Sequence, residues 1–469
     1  MLPHAETRGL HSPRRRRADV GQVVRVRTAM LDMKSAAALT LGTIAQYTGA
    51  SFGPYIADAT NLLLDKTNYF HEELRQNCWS SVCWLVVAAL EALPPTPPSA
   101  SNPMYVLHHD VEHMMDHVIN ARMISSMHMD DDREVVARCC ECLIEWMKRV
   151  GAAAVYKHLE ELNKVLVSLL KEQTVCQRYE PDQDDDDDDA AEHDMVLIDT
   201  VSDVIAELCK ALGASFEPYV RPMIKPLLKF CRPSRPLSDR SMAVGLFAEI
   251  AEGIGASIAP HLPVLWPPVI AAMRDSNMKL QRNGAFACGW LLSRAGAAAA
   301  GPCRGDALAA LQTLITTPAV LPVVKDNAKG ALARIMTAYH STLPLDTLVP
   351  ALVGSLPLQE DHEEDRPVYL GLIALLAARK PAVVAMVPQL TGHFAKALVA
   401  SSGVPEDVKG HIVTCLRGLA SSYGDHMGTV FSSLPAEAQA AVTAALSGAG
   451  ASAGAASPAA AAPPTPPTR

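Results

Sequence analysis

Two histidines and a glutamate near residue 110 have the spacing of a zinc site. His109, Glu112 and His113 match the H-x-x-E-H pattern, in which both histidines hold zinc on one helical face and the glutamate acts as general base. His117 lies one turn further along the same face. The sequence offers no third carboxylate ligand nearby. We therefore interpret these histidines as the polar face of a helix and predict no metal site.

A second segment, Gly49-Ala-Ser-Phe-Gly53, matches the G-x-S-x-G nucleophile elbow, which needs a strand, a turn and a helix in succession. Two similar segments elsewhere in the chain act as internal controls, because they carry Glu217 and Ala259 in place of Gly53. The flanking sequence has a helical pattern. We predict a turn between repeats and no serine nucleophile.

The cysteines and glycines form no catalytic or cofactor-binding pattern. Cys139, Cys140 and Cys142 lack the C-x-x-C spacing that lets two thiolates meet one metal ion. The 11 cysteines are an odd number scattered through helical patterns, which indicates reduced and mostly buried thiols. The chain also lacks the phosphate-binding patterns G-x-x-x-x-G-K and G-x-G-x-x-G. We predict that the protein is not an enzyme and uses no cofactor.

An acidic run is the strongest chemical feature of the chain. The net charge is −9, from 41 basic and 50 acidic residues, so the rest of the chain sums to zero once nine clustered acids are set aside. We predict that residues 179–194 form a loop that binds basic proteins and repels nucleic acid. A solvated loop without a partner is the alternative. The nine acids are Asp182, Asp184, Asp185, Asp186, Asp187, Asp188, Asp189, Glu192 and Asp194.

The composition places the protein in an aqueous compartment. Hydrophobic residues make up 49% of the chain and charged residues 19%, which is enough to bury a core. The longest uncharged apolar stretch, residues 82–90, is much shorter than the ~20 residues that a membrane helix needs. The basic residues 14–17 are not followed by the apolar region of a signal peptide. We expect the cytoplasm and nucleus, and no membrane partner.

Internal repeats organise the chain. The segments that begin at Gly49, Gly213 and Gly255 are alike, and weaker copies begin at Gly151 and Gly296. The steps of 42 residues from Gly213 to Gly255 and 41 from there to Gly296 fall in the ~40–47-residue period of HEAT and armadillo helix pairs. The step from Gly151 to Gly213 is 20 residues longer than 42, and the acidic run accounts for the excess. Residues 94–103 form a second predicted loop.

The pattern within each repeat predicts a pair of helices. Glycine ends one helix and a nearby proline opens the next, as in residues 218–230 followed by 238–254. Met242, Leu246, Ile250 and Ile254 form the apolar stripe of the second helix. We predict an all-α fold: an armadillo-like α-solenoid of HEAT repeats, a right-handed superhelix of about nine to ten helix pairs over residues 29–446. Residues 1–28 are predicted to be a disordered basic leader, and residues 447–469 a disordered Ala/Pro-rich tail.

Three further segments carry a resemblance to a known family. They are Gln281-Arg-Asn-Gly-Ala-Phe-Ala-Cys-Gly289, Lys325-Asp-Asn-Ala-Lys-Gly-Ala-Leu-Ala-Arg334, and Leu356-Pro-Leu-Gln-Glu-Asp361 with Pro367-Val-Tyr369. In this order and spacing the sequence resembles the importin-beta, or karyopherin-beta, family over about residues 26–434, and is most similar to its importin four branch.

The resemblance implies a nuclear import receptor. Such a receptor carries basic cargo, such as histones and ribosomal proteins, through pores lined with Phe-Gly nucleoporins at the nuclear envelope, and releases it to the GTPase Ran. The inner-helix motif of the family falls on Arg282, Asn283, Asp326, Asn327 and Arg334. For these residues we expect helix capping and a hydrogen-bond ladder between repeats first, and cargo contact second.

The resemblance departs from the family at the front of the chain. Family members are considerably longer, and their principal Ran-binding surface lies in N-terminal repeats. The chain is similar to the C-terminal half only, so binding of Ran is expected to be weak or lost. A HEAT-repeat scaffold subunit without a transport role is the alternative function. The polyaspartate run and the three matched segments favour the receptor.

Overall fold

The computed structural model describes residues 28–178 and 187–447. These residues are helical, and the only β pairing among them is an isolated bridge between Thr96 and Val106. The helices, in chain order, are α1 (Thr28–Thr48), α2 (Ile56–Lys66), α3 (Glu72–Ala92), α4 (His109–Val118), α5 (Ile124–Met129), α6 (Arg133–Val150), α7 (Leu159–Leu170), α8 (Asp187–Leu212), α9 (Glu217–Phe230), α10 (Leu237–Ile254), α11 (Leu262–Met273), α12 (Met278–Arg294), α13 (Gly296–Thr316), α14 (Pro322–Tyr339), α15 (Leu345–Gly354), α16 (Asp365–Ala377), α17 (Pro381–Val384), α18 (Val387–Ala397), α19 (Glu406–Ser432) and α20 (Ala436–Leu446).

The helices form two stacked layers. One layer consists of α1, α3, α6, α8, α10, α12, α14, α16 and α19, and each packs on the next. The other consists of α2, α4 with α5, α7, α9, α11, α13, α15, α18 and α20. Neighbours in the first layer pack on each other more extensively than neighbours in the second. Because helices converge on the inside of a curved stack, we call the first layer inner and the second outer.

The described residues contain nine inner and nine outer helices, so the stack amounts to nine helix pairs. In the described residues, eight outer helices are each followed by an inner partner, from α2 and α3 to α18 and α19. Helix α1 adds one inner member at the start, and α20 adds one outer member at the end. The prediction was about nine to ten pairs.

Glycines end the helices as the repeat pattern indicated. The five repeat glycines have positive φ angles, 51° at Gly49, 57° at Gly151, 59° at Gly213 and Gly255, and 78° at Gly296. A residue without Cβ adopts this left-handed backbone at no steric cost, so the chain can leave one helix and turn into the next.

The predicted helix boundaries near residue 240 are accurate to one residue. Residues 218–230 and 238–254 correspond to α9 and α10, each of which begins one residue earlier. Leu246, Ile250 and Ile254 of the predicted stripe are buried, and Met242 is partly buried against the same core. The stripe packs because its members recur on one helical face.

The core lies between the two layers along the whole stack. Its largest fully buried side chains are aromatic, and Trp146 on α6 donates its indole N–H to the carbonyl of Cys83 on α3 at 3.2 Å. A buried indole whose N–H is hydrogen-bonded stabilises the contact between two helices both through its buried apolar area and through the hydrogen bond. The other fully buried aromatic residues are Trp79, Phe216, Phe230, Phe247, Phe394 and Tyr369.

The predicted acidic loop needs a correction at its C-terminal end. Helix α8 begins at Asp187, so residues 187–194, including Asp187, Asp188, Asp189, Glu192 and Asp194, are the first turns of a helix rather than a loop. Aspartates favour this position because the N-terminal end of a helix carries partial positive charge. The predictions for Asp182, Asp184, Asp185 and Asp186, for the leader and for residues 448–469 lie outside the described residues.

One stretch of the described chain is long and apolar enough, by length and composition alone, to cross a membrane. This stretch, Leu237–Met273, is divided into α10, a 3-10 turn and α11. Half of its most apolar window is buried inside the stack. We interpret it as a pair of core helices.

Candidate functional site

A polar cavity of about 430 Å³ opens on the inner layer between α8, α10 and α12. Three carboxylates, those of Asp199, Asp203 and Glu249, line it together with a single cation, Lys279. Serine hydroxyls and the amide of Asn283 complete the wall. A concave surface on which carboxylates outnumber cations attracts positively charged groups. We call this site the acidic cavity.

Helical periodicity and a neighbouring helix bring these acids together. Asp199, Asp203 and Glu207 follow one another at four-residue intervals along α8, so their side chains share one face. Glu249 extends from α10, and the Nζ atom of Lys210 lies 3.3 Å from its Oε2 atom. The same Nζ atom lies 3.5 Å from Glu207, so one lysine is shared by two acids.

Asp199 and Asp203 are the two carboxylates of the acidic cavity that are available to a ligand. Neither carboxylate forms an ion pair or hydrogen bond with another described residue, and both are exposed at the cavity mouth. Partial desolvation by the surrounding wall raises the pKa of each. A neighbouring carboxylate adds to the effect, Asp203 for Asp199 and Glu249 for Asp203, and the ammonium groups of Lys279 and Lys148 oppose it. A cation bound between them would offset both effects.

A second cavity on the inner layer, of about 560 Å³, contains an aromatic and ionic cluster. The guanidinium of Arg334 lies 4.6 Å from the ring centre of Trp290 and 5.4 Å from that of Phe286. It also donates two hydrogen bonds to Glu364, at 2.6 and 3.0 Å. Burial raises the pKa of Glu364, and the ion pair with Arg334 opposes that effect. This predicted motif arginine is therefore held inside the protein by stacking and by a bidentate ion pair.

Asn283, another residue of the predicted inner-helix motif, connects neighbouring repeats. Its Nδ2 atom, on α12, donates to the carbonyl of Ser241 on α10 at 2.8 Å and to the Ser241 hydroxyl at 3.0 Å. Asn77 on α3 makes the same kind of bond to the hydroxyl of Ser35 on α1, at 2.7 Å. Both asparagines thus join an inner helix to the inner helix before it.

Asp326 is fully buried at the start of α14 and binds a loop. Its Oδ2 atom accepts hydrogen bonds from the backbone N–H groups of Gln359 and Glu360, both at 2.8 Å, and of Asp361 at 3.3 Å. Its Oδ1 atom accepts from the buried ammonium of Lys329 at 3.0 Å. Such a carboxylate satisfies three loop donors and one buried cation at once.

Arg282 and Asn327 bind the same loop through one acceptor. Both donate to Oδ2 of Asp361, Arg282 at 2.9 Å and Asn327 at 2.8 Å. Arg282 alone among the five motif residues keeps an exposed side chain. Contacts within the fold thus occupy Asp326, Asn327, Asn283 and Arg334, and a cargo contact by any motif residue stays a proposal. The expected helix capping is not among these contacts, because Asn277 caps α12 and α14 has no side-chain cap.

The sequence interpretation missed the acids that the structure places at the open cavity. Asp199 lies twelve residues after Asp187 on the same helix, about 18 Å along its axis. The described part of the acidic run, residues 187–194, therefore lies on the same helix as the cavity residues Asp199 and Asp203. The four-residue spacing of Asp199, Asp203 and Glu207 was the available signal. The contribution of Glu249 is not visible in sequence, because it depends on the packing of α10 beside α8.

The H-x-x-E-H residues do not form a metal site. Glu112, on α4, accepts hydrogen bonds from the hydroxyl of Tyr156 at 3.2 Å and pairs with the ammonium of Lys157 at 2.7 Å. The rings of His109 and His113 are 6.4 Å apart. Across residues 28–178 and 187–447, no group of three or more His, Cys, Asp or Glu side chains is arranged to hold a metal ion.

The other reactive residue types have structural roles. Residues Gly49–Tyr55 form a 3-10 turn between two helices, with Phe52 buried, so the strand required by a nucleophile elbow is replaced by a helix. Eight of the eleven cysteines are buried. Burial raises the pKa of Cys78 and of Cys209 to about 12, which keeps these thiols protonated and unreactive.

An apolar groove of about 780 Å³ lies on the outer layer between α2 and α4. Ile56, Val111 and Met114 are among its lining residues. The buried hydroxyl of Thr60 also lines it and has no hydrogen-bond partner among the described residues. A groove with this lining can accept an apolar or aromatic side chain together with one polar group. We call it the outer groove.

The proteins whose sequences match this chain are importins. No family model matches the chain. It is 26% identical over 426 residues to a probable importin subunit beta-4 of Schizosaccharomyces pombe, and 25% identical over 418 residues to importin-4 of Homo sapiens. These matches cover 85% and 88% of the chain but 38% of each relative. The chain therefore spans well under half the length of the curated relatives it matches.

Solved structures show the same fold. Kap121p bound to Nup53p superposes with a TM-score of 0.64 at 18% identity, over 90% of this chain and 38% of that protein. Kap121p bound to RanGTP gives 0.64 at 17% identity, with the same coverage. The predicted all-α solenoid is confirmed, and the sequence relatives that match the chain are importins.

Proposed function

We propose that the chain is the part of a nuclear import receptor of the importin-beta family that binds basic cargo proteins, such as histones or ribosomal proteins. It moves with them between cytoplasm and nucleus through the nuclear pore. The observation that carries this proposal is the acidic cavity, with its open carboxylates of Asp199 and Asp203. The matches to importins support a transport role over the scaffold alternative.

Lysine and arginine side chains fit the acidic cavity both electrostatically and sterically. A cation between Asp199 and Asp203 would replace the missing ion pairs, and the cavity of about 430 Å³ is large enough for one long basic side chain. The acids within residues 187–194, on the same helix, would attract further cations of a basic tail before it docks. Such attraction chiefly raises the association rate and makes binding depend on salt.

The test is binding of a lysine-rich histone-tail peptide to the full chain and to the double variant Asp199→Asn/Asp203→Asn. We expect the variant to bind about 3- to 10-fold more weakly, in line with partly exposed ion pairs. The matched control is Glu160→Gln/Glu437→Gln, which removes the same charge from exposed positions of the outer helices α7 and α20. Equal weakening by both variants would show that net charge, rather than the acidic cavity, binds the cargo.

The outer groove is the proposed contact for Phe-Gly nucleoporins. It presents apolar walls on the outer layer, away from the inner cavities. Kap121p, which has the same fold, has a structure bound to Nup53p. Ala57→Glu would place a charge on an exposed position of the groove and is expected to weaken binding of a Phe-Gly repeat peptide. Ala271→Glu, at an exposed position of α11, is the matched control. Unchanged binding by Ala57→Glu would place the nucleoporin contact elsewhere.

For Ran we propose weak binding. The chain spans 38% of the length of its importin relatives, so a surface built from many repeats would be incomplete here. Calorimetry with Ran in its GTP form is expected to give much weaker binding than to full-length human importin-4. Binding of equal strength would show that this chain carries the principal Ran surface.

A further inference from the structure

A row of basic side chains lies along one face of the outer helix α9. Lys225 and Lys229 are one helical turn apart, about 6 Å along the axis, and Arg232 lies in the turn just after the helix. Lys171 follows the end of α7 in the same way. All four side chains are exposed, and none forms an ion pair or hydrogen bond with another described residue. We call these four residues the basic stripe.

The four residues belong to one surface because α7 and α9 are neighbours in the outer layer. The two helices pack on each other, and each leads into an inner helix of the same stack, so they run in the same direction. Their C-terminal ends therefore lie at the same edge of the solenoid. Lys171 is placed there together with Lys229 and Arg232, and Lys225 lies one turn further in.

Neighbouring cations of the outer layer each have an acidic partner. The pairs are Arg221 with Glu217 at 2.9 Å, Lys164 with Glu161 at 2.5 Å and Arg274 with Asp306 at 3.5 Å. An exposed cation on this part of the described surface is therefore ordinarily neutralised within the fold, and the basic stripe is the exception.

The helix dipole explains only part of the basic stripe. Cations near the C-terminal end of a helix interact favourably with its partial negative charge, which accounts for Lys171, Lys229 and Arg232. Lys225 is the ninth of the 14 residues of α9 and lies outside the last turn. Like charges four residues apart, such as those of Lys225 and Lys229, destabilise a helix. An anion bound between the two ammonium groups would remove that repulsion.

The surroundings of the basic stripe favour carboxylates over nucleic acid. Single-stranded nucleic acid binds largely through aromatic side chains on which its bases stack. The aromatic rings of α9 are not open to such stacking, because Phe230 is buried under the guanidinium of Arg235 and the half-buried Tyr219 stacks on Phe216. Duplex nucleic acid binds through a long row of phosphate contacts, and four cations provide only a short one. An acidic peptide needs no more than cations within reach of its flexible carboxylates.

We propose that the basic stripe binds an acidic segment of a partner protein, rich in aspartate and glutamate. The chain as a whole has a net charge of −9, so the stripe is a local reversal of sign that directs such a segment to one place. The stripe lies on the outer layer and the acidic cavity opens on the inner layer, so the acidic partner and a basic cargo bind at separate surfaces.

The test is binding of a fluorescent decaglutamate peptide to the full 469-residue chain at an ionic strength of about 0.15 M. We expect Lys225→Gln/Lys229→Gln to bind it about 3- to 10-fold more weakly, in line with exposed ion pairs. The matched control, Arg379→Gln/Lys396→Gln, removes the same charge from exposed positions and should bind like the parent. Absence of binding by the parent, or equal affinities of the parent and the stripe variant, would overturn the proposal. Equal weakening by the two variants would do the same, because net charge would then explain it.

A second set of measurements separates this binding from folding and from the proposed cargo site. The four substituted side chains are exposed, so the melting temperatures of both charge variants should equal that of the parent. Lys225→Gln/Lys229→Gln should bind the lysine-rich histone-tail peptide like the parent, and Asp199→Asn/Asp203→Asn should bind decaglutamate at least as tightly as the parent. A stripe variant that lost both peptides would have a general defect, and the proposal would fail.

Two further measurements detect other occupants of the basic stripe. A single-stranded DNA of equal charge that bound more tightly than decaglutamate, and that depended on Lys225 and Lys229, would assign the stripe to nucleic acid. Replacing residues 184–189 with serine is expected to change the affinity for decaglutamate by less than about 3-fold, because salt screens distant charges. A gain of more than about 10-fold would show that the acidic run of the chain itself occupies the stripe. Either of these results would overturn the proposal.

Discussion

Two joints of the inner layer use charged residues in opposite ways. Where α12, α14 and α16 meet, Asp326 is buried and Arg334 is half-buried, and each charge has a partner within the fold. Where α8 and α10 meet, Asp199 and Asp203 have no such partner among the described residues and stay exposed. Both joints are built from the same repeat, so residue type alone does not tell a structural charge from a charge that is available for binding. The two kinds of charge differ in whether they have a partner within the fold and in how exposed they are.

The difference follows from the cost of burying charge. A buried ion loses its hydration and must recover that free energy from close, well-oriented partners. Asp326 has four such partners, three backbone N–H groups and the Lys329 ammonium. An exposed carboxylate keeps its water and can exchange it for the cation of another protein. We call the contact of α12, α14 and α16 the paired joint and the contact of α8 and α10 the open joint. The paired joint therefore stabilises the solenoid, and the open joint is available for binding.

The largest expected effect is at the paired joint. Asp326→Ala would leave Lys329 buried without its counter-ion and three loop N–H groups without an acceptor, which costs about 3–5 kcal/mol. Thermal unfolding followed by circular dichroism measures the loss. Asp346→Ala, at an exposed position on α15, is the control and should cost less than about 0.5 kcal/mol. Equal melting temperatures for the two variants would contradict the assigned role of Asp326.

Sequence alone predicted much of the fold but less of the site, and the reason is physical. The spacing of the repeat glycines indicates where helices end, and the spacing of the apolar stripe ending at Ile254 indicates which helix face is buried. Both are local properties of the sequence, so the predicted helix ends near residue 240 agree with the structure to within one residue. Whether a charge has a partner depends on contacts between distant repeats. Asp361 reaches Arg282 across 79 residues, and Glu249 meets Lys210 from a different helix. No local pattern reveals those contacts.

A smaller effect is expected where the hydrogen bonds of one asparagine link two repeats. Asn283→Ala removes two bonds to Ser241 and is expected to destabilise the protein by about 1–2 kcal/mol. Hydrogen exchange should show faster opening at α10 and α12 and no change at α1 and α3. Asn77→Ala should give the reverse pattern. If both variants opened the same region, the joints would not act as separate units.

The acidic run should affect binding without affecting stability. Replacing residues 184–189 with serine or asparagine is expected to weaken binding of a basic tail and to flatten its dependence on salt, because these carboxylates act through long-range attraction. The melting temperature should stay the same. A variant with the same acids in scrambled order is the control and should bind like the parent. Equal binding by neutralised and parent protein at low ionic strength would leave the run as a solvated segment without a partner.

The smallest expected effect is on the pH dependence of stability at the open joint. Burial raises the pKa of Asp199 and of Asp203 above the ordinary 3.8, so their ionised forms are less favourable in the folded than in the unfolded chain. Asp199→Asn/Asp203→Asn should therefore raise the melting temperature slightly at pH 7. As the pH falls through the raised values, the folded parent takes up protons first, and its disadvantage disappears. Melting curves between pH 7 and pH 4 should show the gap between parent and variant closing, while the gap for Glu160→Gln/Glu437→Gln stays constant. A gap that widened on acidification would mean that the two aspartates are stabilised by partners in the folded state, and the contrast between the two joints would be lost.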